Sequence, residues 1–112
     1  MQFKSADVDR ALKKKGFRRE KDKDHIYFYH EYRGVETGPQ TFISHGANNI
    51  AGNLIGLMKR QLKLDQSDQF SDLVKCPMSA EDYAKIIADK GIFSPAEVDR
   101  QIAQQKAAKS GR

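Results

Sequence analysis

The chain has 112 residues, 31% of them charged, with one cysteine, no tryptophan and a formal net charge of +5. This length suits one hydrophobic core and excludes two independent catalytic domains. The single cysteine, Cys76, excludes an intramolecular disulfide, and we expect it to be a small apolar side chain near a helix end. No run approaches the roughly 18 apolar residues of a membrane span, and the start "MQFKSADVDR" lacks the apolar segment of a signal peptide, so we expect a cytoplasmic protein without a membrane partner.

The net positive charge comes from the first part of the chain. Residues 1–64 contain thirteen Lys and Arg against seven Asp and Glu, a net charge of +6, whereas residues 65–112 contain seven against eight, a net charge of −1. A one-sided basic field favours a polyanionic partner, since neutralised phosphates release counterions. The alternative is that the lysines only keep the domain in solution.

The first predicted element is a helix over residues 5–15, capped by Ser5 and followed by Gly16. The segment "GFRRE" then predicts a short strand that begins at Phe17, and the polar residues 22–24 predict the turn into the next strand.

The stretch "HIYFYHEY" has a period of two and predicts a strand over residues 25–32. One face, expected to point to the core, carries Ile26, Phe28, His30 and Tyr32, and the opposite face carries His25, Tyr27, Tyr29 and Glu31. Two glycines and a proline in residues 33–39 predict a hairpin loop, and "QTFISH" predicts a third antiparallel strand over residues 40–45.

A second helix is predicted after this strand, capped by Asn48 or Asn49. We expect Gly52 and Gly56 to permit close packing against the sheet, because glycine inside a helix costs about 1 kcal/mol relative to alanine. Its apolar positions at helical spacing are Ile50, Leu54, Leu57, Met58 and Leu62, with Ile55 beside them.

Short helices are predicted for the remainder of the chain. One covers residues 69–75, a second opens with a capping box of Ser79 and Asp82, and a third opens with "SPAE" at residues 94–97. The end of the last helix, residues 104–112, is expected to be frayed. The order of elements predicts an α+β fold with a core of one helix, three antiparallel strands and a second helix, followed by a helical extension.

The three histidines, His25, His30 and His45, all fall in the predicted sheet region. They lack cysteine partners and helical His spacing, so we expect neither a metal site nor a cofactor. His30 lies on the core face and is expected to be a hydrogen-bonded structural residue. His25 lies on the opposite face at a strand start, where the residue pattern alone is equally consistent with an ordinary surface histidine.

Cleavage of RNA without a metal requires a base for the ribose 2′-hydroxyl and cations for the phosphate. His25 meets the first requirement, and the adjacent basic residues meet the second. Tyr27 and Tyr29 face the same way as His25 and could stack on an unpaired base, although ordinary packing explains them equally well. The basic residues proposed to contact RNA are Lys14, Lys15, Arg18, Arg19, Lys21 and Lys23.

Four segments together resemble the HicA-like (YcfA/HicA-like) toxins, which are small messenger-RNA interferases of bacterial and archaeal toxin-antitoxin systems. They are "SADVDRALKKKGF", "DHIYFYH" before a glycine turn, "TFISHG" and the amphipathic "NIAGNLIGLMKRQL". The resemblance implies a fold like the double-stranded-RNA-binding domain, with an α-β-β-β-α core over residues 1–64 and a helical extension over residues 65–112. It also implies that His25 is the catalytic histidine, that His45 belongs to a second recurring histidine-glycine pair, and that a HicB-like antitoxin is a partner.

The chain departs from the family pattern at several positions. Lys23 and Asp24 replace the glycine and serine before the catalytic histidine, and Ala47 and Asn48 replace lysines after the second histidine-glycine pair. The predicted hairpin loop is longer than usual, and the segment after Leu64 has no counterpart in the short toxins. Asp24 either orients His25 or repels the substrate phosphate.

Three functions are therefore considered. The first is a metal-independent endoribonuclease toxin that acts on messenger RNA, and the second is a non-catalytic RNA-binding module on the same fold. The third is a protein-interaction adaptor in which the C-terminal helices contact the partner.

Overall fold

In the computed structural model, which describes residues 2–75 and 77–110, helices precede and follow a three-stranded antiparallel sheet. For residues 106–110 only the backbone is described. The elements in chain order are β1 (Gln2–Lys4), α1 (Ser5–Lys14), β2 (Phe17–Lys21), β3 (His25–Tyr32), β4 (Val35–Ser44), β5 (Asn49–Ala51), α2 (Asn53–Gln61), α3 (Ser67–Lys75), α4 (Ala80–Asp89) and α5 (Pro95–Ser110). The predicted α+β class and the predicted order of helix, three antiparallel strands and helix are confirmed.

The central sheet has the order β2-β3-β4, and β3 and β4 are joined by a tight turn. The prediction of a loop over residues 33–39 is wrong. Arg33 and Gly34 alone form the turn, with φ angles of 53° and 82°, which is the left-handed geometry that matches the twist of a hairpin. Residues 35–39, which were predicted to belong to the loop, form the first part of β4. The register between β3 and β4 shifts between Tyr29 and Glu31.

The helix α1 starts directly from a strand. Lys4 occupies the N-cap position and makes no side-chain capping bond, while the Ser5 hydroxyl is buried without a hydrogen-bond partner among the described residues, so the predicted Ser5 cap is wrong. The Ser5 amide instead donates to the carbonyl of Asn48, at 2.9 Å. Gly16 follows the helix with a φ of 95°, as predicted.

The strand β5 occupies residues that were predicted to begin the second helix. Asn49–Ala51 pairs with Gln2–Lys4, and α2 begins only at Asn53, so a cap at Asn48 or Asn49 is wrong. A Cβ atom at Gly52 or Gly56 would meet no atom within 4 Å, so close packing does not explain either glycine. Gly52 has a φ of 50°, and this left-handed conformation at the start of α2 is what favours glycine there.

The hydrophobic core is continuous between the sheet and the C-terminal helices. Phe70 of α3 is fully buried and its ring centroid lies 5.5 Å from that of Phe3, a burial that contributes roughly 1.5–3 kcal/mol for a side chain of this size. The Tyr83 hydroxyl of α4 donates to the carbonyl of Leu62 at 2.7 Å, and its ring lies 5.4 Å from Phe17. Residues before and after Leu64 therefore share one core.

The starts of α4 and α5 follow the predicted capping signals. The Ser79 hydroxyl accepts from the Asp82 amide at 3.0 Å, and the Asp82 carboxylate accepts from the Ser79 amide at 3.0 Å. The hydrogen bond that the Ser79 amide donates to the carboxylate lowers the pKa of Asp82. The Ser94 hydroxyl accepts from the Glu97 amide at 3.2 Å, with Pro95 as the first helical residue.

Two expectations concern residues beyond those described. Cys76 lies outside the described residues, as do residues 111–112 of the segment expected to be frayed. The backbone of that segment is helical as far as Ser110. No helix in residues 2–75 or 77–110 is both long enough and apolar enough to cross a membrane.

Candidate nucleic-acid interface

The two faces of the central sheet differ in character. The core face carries Phe28, fully buried, and Ile26, which packs against the core. The other face, here called the outer face, carries side chains that are partly or fully exposed. It is formed by Arg18 and Glu20 of β2, His25, Tyr27 and Tyr29 of β3, and Gln40, Phe42 and Ser44 of β4. The predicted alternation along residues 25–29 is therefore confirmed.

Four rings form a continuous band along the outer face, here called the aromatic strip: His25, Tyr27, Tyr29 and Phe42. The His25 ring centroid lies 5.1 Å from Phe42 in an edge-on arrangement and 5.8 Å from Tyr27. Tyr27 and Tyr29 are nearly parallel, at 22° and 6.3 Å. All four are partly exposed, so the strip has the form of a platform on which unpaired bases can stack.

His25 lies at the end of the sheet where two turns meet. Its carbonyl accepts from the Asp22 amide at 2.8 Å, which closes the turn between β2 and β3. The His45 amide donates to the Asp24 carbonyl at 2.9 Å, so the turn after β4 is fastened to the turn before β3. His25 and the exposed His45 are thereby brought to the same end of the sheet, as the predicted site requires.

Lys21 and Lys23 lie at this same end of the sheet. Both are exposed; Lys21 is the last residue of β2, opposite Ile26, and Lys23 lies in the following turn. The Lys23 amide donates to the Asp22 carboxylate at 2.6 Å. Of the predicted cations, these two lie at the same end of the sheet as His25, although Lys21 shares the face of Ile26 and not the outer face.

Arg18 is surrounded by carboxylates. Its guanidinium lies 2.5 Å from Glu31, 2.6 Å from Glu36 and 3.2 Å from Glu20, and also 4.9 Å from the centroid of the Tyr29 ring. The hydrogen bonds that Arg18 donates to Glu36 and Glu31 raise the pKa of Arg18, so it stays charged. Three acidic neighbours offset this positive charge, and Arg18 adds little net attraction for a phosphate.

Three other predicted cations lie away from the strip. Arg19 forms a two-point contact with the Asp9 carboxylate of α1, at 3.0 and 3.1 Å. Lys15 is 4% exposed and its ammonium donates to the Met78 carbonyl, so it joins α1 to the segment before α4 and is not accessible to RNA. Lys14 is exposed on α1 and lines a different groove.

His30 is a buried structural residue, as its position on the core face predicts. It is 2% exposed, its Nδ1 lies 2.6 Å from the Thr37 hydroxyl, and its ring contacts Phe17, Tyr83 and Phe93. Burial lowers the pKa of His30 to about 4. The side chain is therefore neutral at pH 7 and takes no part in the outer face.

Sequence reasoning missed Phe42 as a member of the aromatic strip. Phe42 lies opposite Tyr27, and Ser44 lies opposite His25. The alternation in "QTFISH" could have placed both, because residues opposite each other in antiparallel strands share a face. The period of two had already placed Glu31 on this face, whereas the position of Glu36 opposite Glu31 depends on the register shift.

Within the described residues, no three His, Cys, Asp or Glu side chains come together as a potential metal site. Comparisons of the chain with protein-family models, with curated proteins and with solved structures found no match.

Proposed function

We propose that the protein binds single-stranded RNA on the aromatic strip and that His25 is the base for a metal-independent cleavage of that RNA. The observation that carries this proposal is the partly exposed imidazole at the end of a row of aromatic rings, next to the turn that contains Lys23. Bases stacked on Tyr27 and Tyr29 would direct the attached ribose and phosphate towards this end of the sheet.

The proposed reaction uses the RNA's own 2′-hydroxyl as the nucleophile. His25 takes the hydroxyl proton, the 2′-oxygen attacks the adjacent phosphorus, and the bond from phosphorus to the 5′-oxygen breaks. The products are a 2′,3′-cyclic phosphate and a 5′-hydroxyl, whose proton comes from water or from His45. Lys23, in the turn before His25, offsets the negative charge that builds on the phosphate.

The resemblance to the HicA-like toxins supplies the biological setting of this proposal. The substrate would be messenger RNA, the fold would be a relative of the double-stranded-RNA-binding domain, and a HicB-like antitoxin would cover His25. The order of elements from α1 to α2 is consistent with that fold.

A second function, binding of RNA without cleavage, is favoured by a specific observation. Arg18 is the one arginine of the outer face among the described residues, and three carboxylates offset its charge. Transition-state stabilisation then depends on lysine at the end of the sheet, whereas stacking on the aromatic strip needs no cation.

Cleavage assays with labelled single-stranded and double-stranded RNA in excess chelator separate the two functions. We expect the wild type to cut the single strand and His25→Ala to bind but not cut it, with an unchanged thermal midpoint. Ser44→Ala, which alters the residue opposite His25, is the matched control and should retain cleavage.

Binding without cleavage by the wild type would instead support the second function. Absence of salt-dependent RNA binding would refute both and would leave the adaptor function. Loss of folding in His25→Ala would assign His25 a structural role.

A further inference from the structure

A second basic surface lies away from the aromatic strip, in an open groove between β1, α1 and α3. The groove has a volume of about 490 Å³, and its floor is formed by the apolar side chains of Phe3, Ala11 and Val74. The polar residues that line it are Gln2, Lys4, Asp7, Arg10, Lys14 and Lys75. This surface is called the α1–α3 groove below.

Helical spacing produces one wall of the groove. Lys4, Arg10 and Lys14 lie on one face of α1 and its N-terminal flank, and successive turns place Arg10 and Lys14 about 6 Å apart along the helix axis. Lys75, from the last turn of α3, closes the other side, with its ammonium 5.8 Å from the centroid of the Phe3 ring. Cations from two helices therefore line the α1–α3 groove.

The charge of the groove is not balanced. Among the residues that the structure describes, four cations line it against one carboxylate, Asp7, which pairs with Arg10 at 3.1 Å. Both partners of that pair are exposed, so their attraction is screened and contributes little. The outer face of the sheet shows the opposite arrangement, because there Arg18 has three acidic neighbours.

We propose that the α1–α3 groove binds the phosphodiester backbone of RNA that extends beyond the aromatic strip. This inference rests on the proposed function and adds to it a separate phosphate-binding site, to which α3 of the helical extension contributes Lys75. The excess of cations over carboxylates is complementary to a chain of phosphates, and each phosphate neutralised releases counterions. Some nucleotides stack their bases on the aromatic strip, and the phosphates of nucleotides further along the strand bind in the groove.

The test measures the affinity of a fluorescently labelled single-stranded oligouridine at several KCl concentrations. The groove variant is Lys4→Gln/Lys14→Gln/Lys75→Gln. The matched control, Lys59→Gln/Arg60→Gln/Lys85→Gln, removes three charges elsewhere. For single strands each phosphate contact contributes roughly 0.7 to the slope of log K against log salt, so we expect the groove variant to reduce that slope by about 2 and the control to leave it nearly unchanged.

A second variant, Tyr27→Ala/Tyr29→Ala, separates this proposal from the proposed function. It should weaken binding at every salt concentration without changing the slope, because stacking releases no counterions. If the groove variant keeps the wild-type slope, or loses no more than the control, while the tyrosine variant loses affinity, the groove proposal is wrong and the proposed function stands.

The remaining outcomes also distinguish between the two RNA-binding proposals. If the tyrosine variant binds normally and only the groove variant loses slope, the groove is confirmed and binding on the strip is refuted. If the wild type binds an acidic peptide such as oligoglutamate in the groove but not oligouridine, both RNA proposals are refuted. Should the triple variant fail to fold, Lys14→Gln alone, at an exposed position of α1, should reduce the slope by about 0.7.

Discussion

Lowering the pH from 7 to 5 should destabilise the protein through His30. Burial lowers the pKa of His30 to about 4, whereas the unfolded chain has the ordinary value near 6.5. Because the folded pKa is the lower one, the unfolded state binds the proton more readily. The contribution of neutral His30 to the free energy of unfolding is therefore present in full above pH 6.5. It is lost as the pH falls through 6.5 towards 4.

The expected size of the effect follows from the two pKa values. Between pH 7 and pH 5 the free energy of unfolding should fall by about 2 kcal/mol, which corresponds to roughly 10 °C in the thermal midpoint of a domain of this size. Protonation adds a charge to a ring enclosed by Phe17, Tyr83 and Phe93, with the Thr37 hydroxyl as its polar neighbour. The enclosure explains why the charged form is disfavoured.

Urea unfolding at pH 7, 6 and 5 measures the effect, with His30→Gln as the control. Glutamine can still bond to Thr37 but does not titrate, so the variant should keep a nearly constant stability over this range, whatever its absolute value. Equal pH dependence in both proteins would show that His30 is not the group responsible. If the variant does not fold, an NMR titration of the wild-type His30 ring tests the same point, and a midpoint near 6.5 would refute the reasoning.

Two further predictions follow from the structure. One concerns the hydrogen bond from α4 to the end of α2, and the other concerns the hairpin turn. Tyr83→Phe removes the donor to the Leu62 carbonyl, and we expect a loss of about 1 to 2 kcal/mol in urea unfolding, against a much smaller loss for the partly exposed Tyr32→Phe; equal losses would contradict this. Gly34→Ala should cost roughly 1–2 kcal/mol because its φ is 82°, whereas Gly56→Ala, inside α2, should stabilise by up to about 1 kcal/mol. A neutral Gly34→Ala would show that the turn is not left-handed.

The parts of the fold that were predictable from the sequence depend on neighbouring residues. The period of two over residues 25–32 and the capping signals at Ser79 and Ser94 involve side chains a few positions apart, and the structure agrees with them. The strand at Asn49–Ala51 depends instead on pairing with Gln2–Lys4 at the other end of the domain. A local sequence pattern does not reveal a partner that is so distant in sequence. For this reason residues 49–51, predicted to begin the helix, form a strand instead.

The candidate site was predictable to a similar degree. Alternation placed His25 on the outer face, but the partners of the cations depend on elements that are distant in sequence. Lys15 contacts Met78 and Arg19 contacts Asp9, and neither contact follows from spacing within the basic segment. Lys14 and Lys75 meet in one groove because α1 packs beside α3.

The contact between Phe3 and Phe70 imposes an order on biosynthesis. The ribosome delivers the sheet before α3 and α4, so the rings of Phe3 and Phe17 emerge before the residues that bury them. Until Phe70 and Tyr83 have left the exit tunnel, the nascent polypeptide exposes part of its apolar core, a surface that can bind chaperones or aggregate. The core is therefore complete only after the helical extension has been synthesised.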